Sequence, residues 1–276
     1  MTQSCADIEG RGLISGYGSK VIVGASDFVL KEGTITCVLG TSGCGKSTLL
    51  RTLLLLERPL GGEIWFGGQR VDQLSKRELA LFRPEVGVLF QGSALFGSKS
   101  LLENVAFPLK ERTNLKERQC EELALKNLRL VDLHQHAHKL PSKVSGGMRK
   151  RCGIARALAL DPKWLFLDEP GAGLDPLTSA ELDLLIKSLR DTLHMTIVMV
   201  THELPSVREV ADTIIMLHQG QIRAMGSLEQ LLQLDDPVVL GFFERRARPP
   251  ETQQSPEDLI HRLHSPKGGA ATPKPL

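Results

Sequence analysis

Apolar positions along this chain fall into two patterns, compact runs and stretches with a helical period. Thr34 to Leu39, Trp164 to Leu167, Thr196 to Val200 and Thr213 to Leu217 are short, nearly continuous runs, as expected of strands buried on both faces. Apolar residues three and four apart predict helices over Leu115 to Leu130, Met148 to Leu160 and Ser179 to Leu193, and another ending at Leu56. The opening stretch reads differently. Gly12 to Ser15, Val21 to Val23 and Asp27 to Leu30 are β segments punctuated by glycine, and Gly62 to Gly68 and Val86 to Phe90 predict further strands. Strands alternating with helices predict an α/β layer with a parallel sheet, preceded by β structure and interrupted by a helical insert over about residues 93–160.

This organisation predicts one domain over residues 1–244 and a different tail over 245–276. The tail holds six of the fifteen prolines and little apolar periodicity, so it is expected to be mobile. Within it, Ser255-Pro256-Glu257-Asp258 has the residues of a helix start, with Leu259, Ile260 and Leu263 as the apolar face.

Composition narrows the class. With 41% hydrophobic and 24% charged residues among 276, the chain is expected to bury a sizeable core. A formal net charge of +2 gives no electrostatic ground for nucleic-acid binding. Cys5, Cys37, Cys44, Cys120 and Cys152 are odd in number and form no C-x-x-C pair, which predicts a reducing compartment. No stretch approaches the roughly 20 apolar residues of a membrane span, and the first residues lack the order of a signal peptide. The chain is therefore expected to be soluble and to serve a membrane only through a partner.

Three motifs carry the chemistry. Gly40-Thr41-Ser42-Gly43-Cys44-Gly45-Lys46-Ser47-Thr48 matches G-x-x-x-x-G-K-[ST], between a strand and a helix. Its glycines let backbone N–H groups turn toward phosphate oxygens, and the following helix offers its positive end. Lys46 is placed to reach the β- and γ-phosphates of ATP, and the Ser47 hydroxyl to ligate Mg²⁺. The apolar strand Trp164 to Leu167 ends in Asp168 and Glu169. Asp168 suits Mg²⁺ through its water shell, and Glu169 suits proton abstraction from an attacking water. The third motif is Val144-Ser145-Gly146-Gly147-Met148, opening a basic helix, where serine and glycine N–H groups make a second anion site.

Serine and two glycines opening a helix just upstream of that acidic strand resemble the signature of ABC ATPases, and the resemblance covers about residues 8 to 242. It implies a P-loop NTPase fold of ABC type: a RecA-like α/β core, an N-terminal antiparallel β subdomain and a helical insert. It also implies that Tyr17 stacks on adenine, that Gln91 senses Mg²⁺ and the attacking water, and that Gly173-Leu174-Asp175 communicates across a dimer. His202 would contact the γ-phosphate and orient the water. In this family the signature caps the nucleotide held by the other subunit, so a head-to-tail homodimer enclosing two ATP molecules is expected. His134, His136 and His138 lack a fourth ligand nearby and are not expected to bind metal.

Within these 276 residues no long coiled-coil split, second cassette or membrane domain is read, so a stand-alone transporter ATPase is expected. The wording from Leu89 to Leu109, with Ser-Gly-Gly-Met in the signature, is similar to the ATPase of Mla/MCE phospholipid transporters. That implies a permease, an MCE-type lipid-binding protein and a place on the cytoplasmic face of the inner membrane. Ala94, Leu95, Phe96 and Phe107 are expected to line a groove for a permease helix. Departures include Val144 before the signature, Pro170-Gly171-Ala172-Gly173 after Glu169, and Gly92-Ser93 after Gln91. An amino-acid or other small-solute importer shares every catalytic motif, and a non-transport ATP switch is the reading from another class.

Overall fold

The structure is a computed structural model that describes residues 7–244. The tail from Arg245, its expected helix and Cys5 lie outside the described residues. Two sheets form the body. In the first, β1 (Ile8–Tyr17) and β2 (Lys20–Leu30) make a hairpin. With β4 (Gly61–Phe66) and β5 (Gln69–Arg70) they give an antiparallel sheet in the order β2-β1-β4-β5. The two segments predicted at Val21 to Val23 and Asp27 to Leu30 are one strand. Irregularities in the pairing with β1 near Leu13 and Ser15 absorb the glycine-rich interruptions without ending it.

The second sheet begins with β3 (Ile35–Gly40), which leads into α1 (Lys46–Leu53). After α2 (Lys76–Phe82) comes β6 (Val86–Leu89), then the helical insert of α3 (Leu101–Arg112), α4 (Glu117–Leu130) and α5 (Gly146–Ala157). The chain continues as β7 (Trp164–Asp168), α6 (Pro176–Leu193), β8 (Thr196–Val200), α7 (Leu204–Val210) and β9 (Thr213–His218). It closes with β10 (Gln221–Gly226), α8 (Leu228–Leu232) and α9 (Pro237–Phe243). Sheet order is β10-β9-β3-β8-β7-β6, parallel throughout except where β10 pairs antiparallel with β9.

Alternation along the buried strands divides the core. Ile35, Cys37, Leu39, Leu165, Leu167, Ile197 and Met199 face the helices of the insert and α6. Val38, Phe166, Val198 and Val200 face α1 and the inner side of the antiparallel sheet. Both faces are covered, which is why these strands carry continuous apolar runs. Phe66 joins the two sheets, with its ring 5.0 Å from Trp164 and 5.3 Å from Phe82, both edge-on. Cys37, Cys44, Cys120 and Cys152 are buried free thiols.

The parallel register sets the position of the site. Val38 of β3 and Asp168 of β7 both lie opposite Val200 of β8, and Leu89 of β6 lies opposite Leu167. The segments that follow these residues therefore leave the sheet at one edge, the carboxyl ends of its parallel strands.

Candidate active site

Along that edge lie Gly40 to Thr48 after β3, Gln91 after β6, Asp168 and Glu169 at the end of β7, and His202 after β8. The phosphate loop needs glycine for steric reasons at two points. A Cβ on Gly40 would come within 2.3 Å of the Leu217 carbonyl oxygen, and one on Gly45 within 2.5 Å of Val23 Cγ2. Gly45 also has φ 109 and is the residue from which α1 starts. Thr41, Ser42, Gly43 and Ser47 are exposed, whereas Cys44, Lys46 and Thr48 are buried. Lys46 Nζ crosses the loop and donates to the carbonyls of Gly40 at 2.9 Å and Thr41 at 3.1 Å. Tyr17, at the end of β1, is 41% exposed, and its hydroxyl lies 3.5 Å from Thr48 Oγ1. The aromatic face expected to meet adenine therefore stands beside the phosphate loop.

Glu169 adopts φ 48, the left-handed region that non-glycine residues seldom enter and that recurs at functional sites. Its N–H donates to the Val200 carbonyl at 2.8 Å, and its carboxylate lies 2.9 Å (Oε1) and 2.8 Å (Oε2) from His202 Nδ1. A carboxylate only accepts, so Nδ1 carries the proton in this contact. Asp168 is half-buried, and burial followed by the charge of Glu169 holds its pKa above the usual carboxylate range, against Lys150 and Lys46. A desolvated carboxylate next to a second one, with the Ser47 hydroxyl on the neighbouring helix, fits a divalent cation.

The signature opens α5. Ser145 is its N-cap, with Oγ accepting from the Met148 N–H at 3.2 Å, so its own O–H remains a donor. Gly146 and Gly147 pack on the segment after Glu169: added Cβ atoms would meet Leu174 Cδ2 at 3.3 Å and Thr178 Cγ2 at 2.4 Å. Asp175 is the N-cap of α6, accepting from the Thr178 N–H at 3.0 Å and the Thr178 hydroxyl at 2.6 Å. Those hydrogen bonds hold its carboxyl below the usual range. Thus the strand-end residues converge on one edge, while Ser145, Gly146, Gly147 and Asp175 form a second cluster between α5 and α6.

Two residues of α5 have roles that the sequence reading missed. Lys150 donates to the backbone carbonyls of Gln91 and Glu169, and Arg156 to those of Ser93 and Ala94, both at 2.7 Å. Ser93 and Ala94 are left-handed, with φ 60 and 47. The basic helix after the signature therefore clamps the segment after β6. An apolar cavity of about 390 Å³ lies nearby, lined by Leu53, Phe82, Val88, Phe90, Phe107 and Leu160 among others. Phe107 is in its wall and the tilted Phe96 ring packs against Phe107 at 4.7 Å, but Ala94 and Leu95 are not lining residues. Among the described residues no cluster of His, Cys, Asp and Glu forms a metal site of three or more, and no helix is long and apolar enough to cross a membrane.

Known proteins resemble this chain in sequence and fold. The pattern of the family described as ABC transporter matches residues 23–172. The chain is 41% identical over 239 residues to the probable ribonucleotide transport ATP-binding protein mkl of Mycobacterium leprae, covering 87% of this chain and 69% of that one. Identity is 38% over 257 residues to the intermembrane phospholipid transport system ATP-binding protein MlaF of Haemophilus influenzae, covering 93% and 97%. It is 36% over 285 residues to the methionine import ATP-binding protein MetN of Symbiobacterium thermophilum, covering 98% and 81%. Among solved structures, the dimeric ATP-binding cassette MJ0796 in a post-hydrolysis state with ADP and Pi superposes with TM-score 0.72 at 29% identity, over 80% of this chain and 98% of that one.

Proposed function

This chain belongs to the ABC transporter family and is an ATPase coupled to transport, and from that premise we propose that its cargo is phospholipid. It powers phospholipid movement between the inner and outer bacterial membranes, from the cytoplasmic face of the inner membrane. A permease and an MCE-type lipid-binding protein complete the machine. The observation that carries this reading is the match to MlaF over nearly the whole of both chains. The apolar cavity between α1, α2, β6 and α3 supports a permease helix as partner, since it offers aromatic walls beside the clamped segment after Gln91.

In the proposed site, the loop N–H groups and Lys46 bind the β- and γ-phosphates, and Tyr17 holds the base. Ser47, Asp168 and Gln91 would hold Mg²⁺, which when bound would offset the charge on the phosphate oxygens. Glu169 accepts a proton from the attacking water. His202 fixes the Glu169 carboxylate through Nδ1–H, which leaves Nε2 of the neutral ring as an acceptor suited to a water O–H. Donation to a γ-phosphate oxygen requires the imidazolium. Ser145 and the N-terminal N–H groups of α5 cap the nucleotide of a second copy in a head-to-tail dimer, as the similarity to a dimeric cassette supports.

The similarity to MetN favours one second reading, an amino-acid importer. Affinity purification of the tagged chain from its native membranes in mild detergent separates the two. Phospholipid transport expects a multi-span permease, an MCE protein and bound phospholipid. A soluble solute-binding protein and a different permease would discard the lipid cargo and leave the ATPase in place.

A further inference from the structure

Lys150 lies in the second turn of α5, and its side chain is buried, unlike that of most helical lysines. Its Nζ donates to the carbonyl of Gln91 at 2.5 Å and to that of Glu169 at 2.9 Å. Three segments far apart in sequence meet at one ammonium: the signature helix, the segment leaving β6 and the segment leaving β7. The Glu169 residue is then held on both sides. Its N–H is bonded to Val200 and its C=O to Lys150, while φ 48 sets the backbone between them. With the backbone fixed and His202 on the carboxylate, few side-chain positions remain for Glu169. Burial lowers the Lys150 pKa, while the charges of Asp168, Glu169 and Glu203 oppose that fall.

We propose that Lys150 is a positioning residue for hydrolysis, clamping the Gln91 and Glu169 carbonyls so that the placement of α5 sets the placement of the Glu169 carboxylate. Its ammonium is engaged by two backbone carbonyls, and it acts through Glu169. Ser145 stands at the start of the same helix and caps the partner's nucleotide, so closure of the dimer on one ATP is transmitted to the acid that serves the other. The inference rests on the reading of Glu169 as proton acceptor and of the site as shared between two chains. A change of about 1 Å in the position of a reacting group lowers rates on the order of 100-fold, so loss of the clamp acts on turnover rather than on binding.

The test uses the full-length chain with Lys150→Met, Lys150→Gln and Lys150→Arg. ATPase kcat and KM, the Kd for ATP and the thermal midpoint are measured for each. The expected result is a fall in kcat of about 10- to 100-fold in Lys150→Met, with KM and the ATP Kd within about twofold. Lys150→Arg, which keeps charged donors for the carbonyls, restores kcat to within about threefold of the parent. If Lys150→Met does not fold, Lys150→Gln is judged by the same criteria. Three results overturn the proposal: kcat within about twofold of the parent, a loss of ATP binding as large as the loss of turnover, or no rescue by arginine. Glu169→Gln is measured beside them. If it abolishes turnover while Lys150→Met does not, only the role of Lys150 falls; if it retains turnover, the assignment of Glu169 falls first.

Discussion

Asp183 shows how a single buried group links this fold to pH. It sits on α6, 5% exposed, and burial raises its pKa to about 6, against a Ser206 hydrogen bond and with the help of Glu203 and Glu209. The folded state therefore binds this proton more tightly than the unfolded chain does. Its contribution to stability is complete below the ordinary carboxylate value of 3.8 and is lost as pH rises through about 6. Asp183→Asn keeps the shape and an acceptor for Ser206 but carries no charge. At pH 7.5 this variant is expected to be more stable by on the order of 1–2 kcal/mol, less than the full linkage because a new amide needs partners. The advantage shrinks toward pH 4.5. Urea denaturation across that range is the measurement, and equal slopes of stability against pH in the two proteins would count against a protonated Asp183. Nothing in the sequence marks this residue, because its pKa is set first by burial, which only the folded chain creates.

At the scale of elements, the contact of α5 with α6 determines how the signature is presented. Gly147 serves packing as well as the proposed anion site, since Thr178 Cγ2 occupies the space of its missing Cβ at 2.4 Å. Gly147→Ala is expected to lower stability by about 1–3 kcal/mol through overpacking. Thr178→Ser removes that methyl and keeps the hydroxyl bonded to Asp175, so the double variant is expected to recover most of the loss. Thermal unfolding of the four proteins in the cycle measures the coupling, and additive effects would place the strain elsewhere. The same packing explains what the sequence made legible. β3, β7 and β8 are buried on both faces, so their runs were readable, and α4, α5 and α6 show an apolar stripe. By contrast, α2 buries only Phe82, α3 contains Pro108, and β10 buries only Ala224. Neither α2 nor β10 offers a clear period, whereas α3 has one in Leu101, Val105 and Leu109, masked along the chain by Pro108. The phosphate loop is marked by a motif of its own, whereas the paired acids gain meaning from their place downstream of it and His202 from its place in the order of the resembled family's motifs. Lys150 and Arg156 act on carbonyls 59 and 62–63 residues upstream, through contacts that only the folded chain creates.

For the whole molecule, the decisive question is whether each site is built from two copies. Lys46 lies on the strand-end edge, whereas Ser145 and its glycines lie in the cluster between α5 and α6. A head-to-tail dimer brings the phosphate loop of one chain to the signature of the other, and the symmetry does so twice. This arrangement makes a prediction that a self-sufficient chain does not. Lys46→Ala removes a phosphate ligand and leaves the signature whole; Ser145→Arg fills the signature and leaves the phosphate loop whole. Each variant alone is expected to be inactive, because every site in its homodimer carries one defect. Mixed one to one, half of the dimers are heterodimers, and each of these pairs the intact loop of one chain with the intact signature of the other. With one sound site of two in half of the dimers, turnover returns to about a quarter of the parent value if the sites work independently. The mixture is assayed after co-expression with two different tags and purification through both, which enriches the heterodimer and raises the expected recovery to about a half. Activity in the doubly purified species together with none in either parent requires a site shared across the interface. If the mixture stays as inactive as its parents while the heterodimer is demonstrably formed, hydrolysis needs both sites intact or the site is not shared. Ser145→Ala removes the hydroxyl donor and the cap on the Met148 N–H, so its kcat is measured beside its thermal midpoint, and an undiminished kcat in its folded homodimer would exclude the serine O–H from the site.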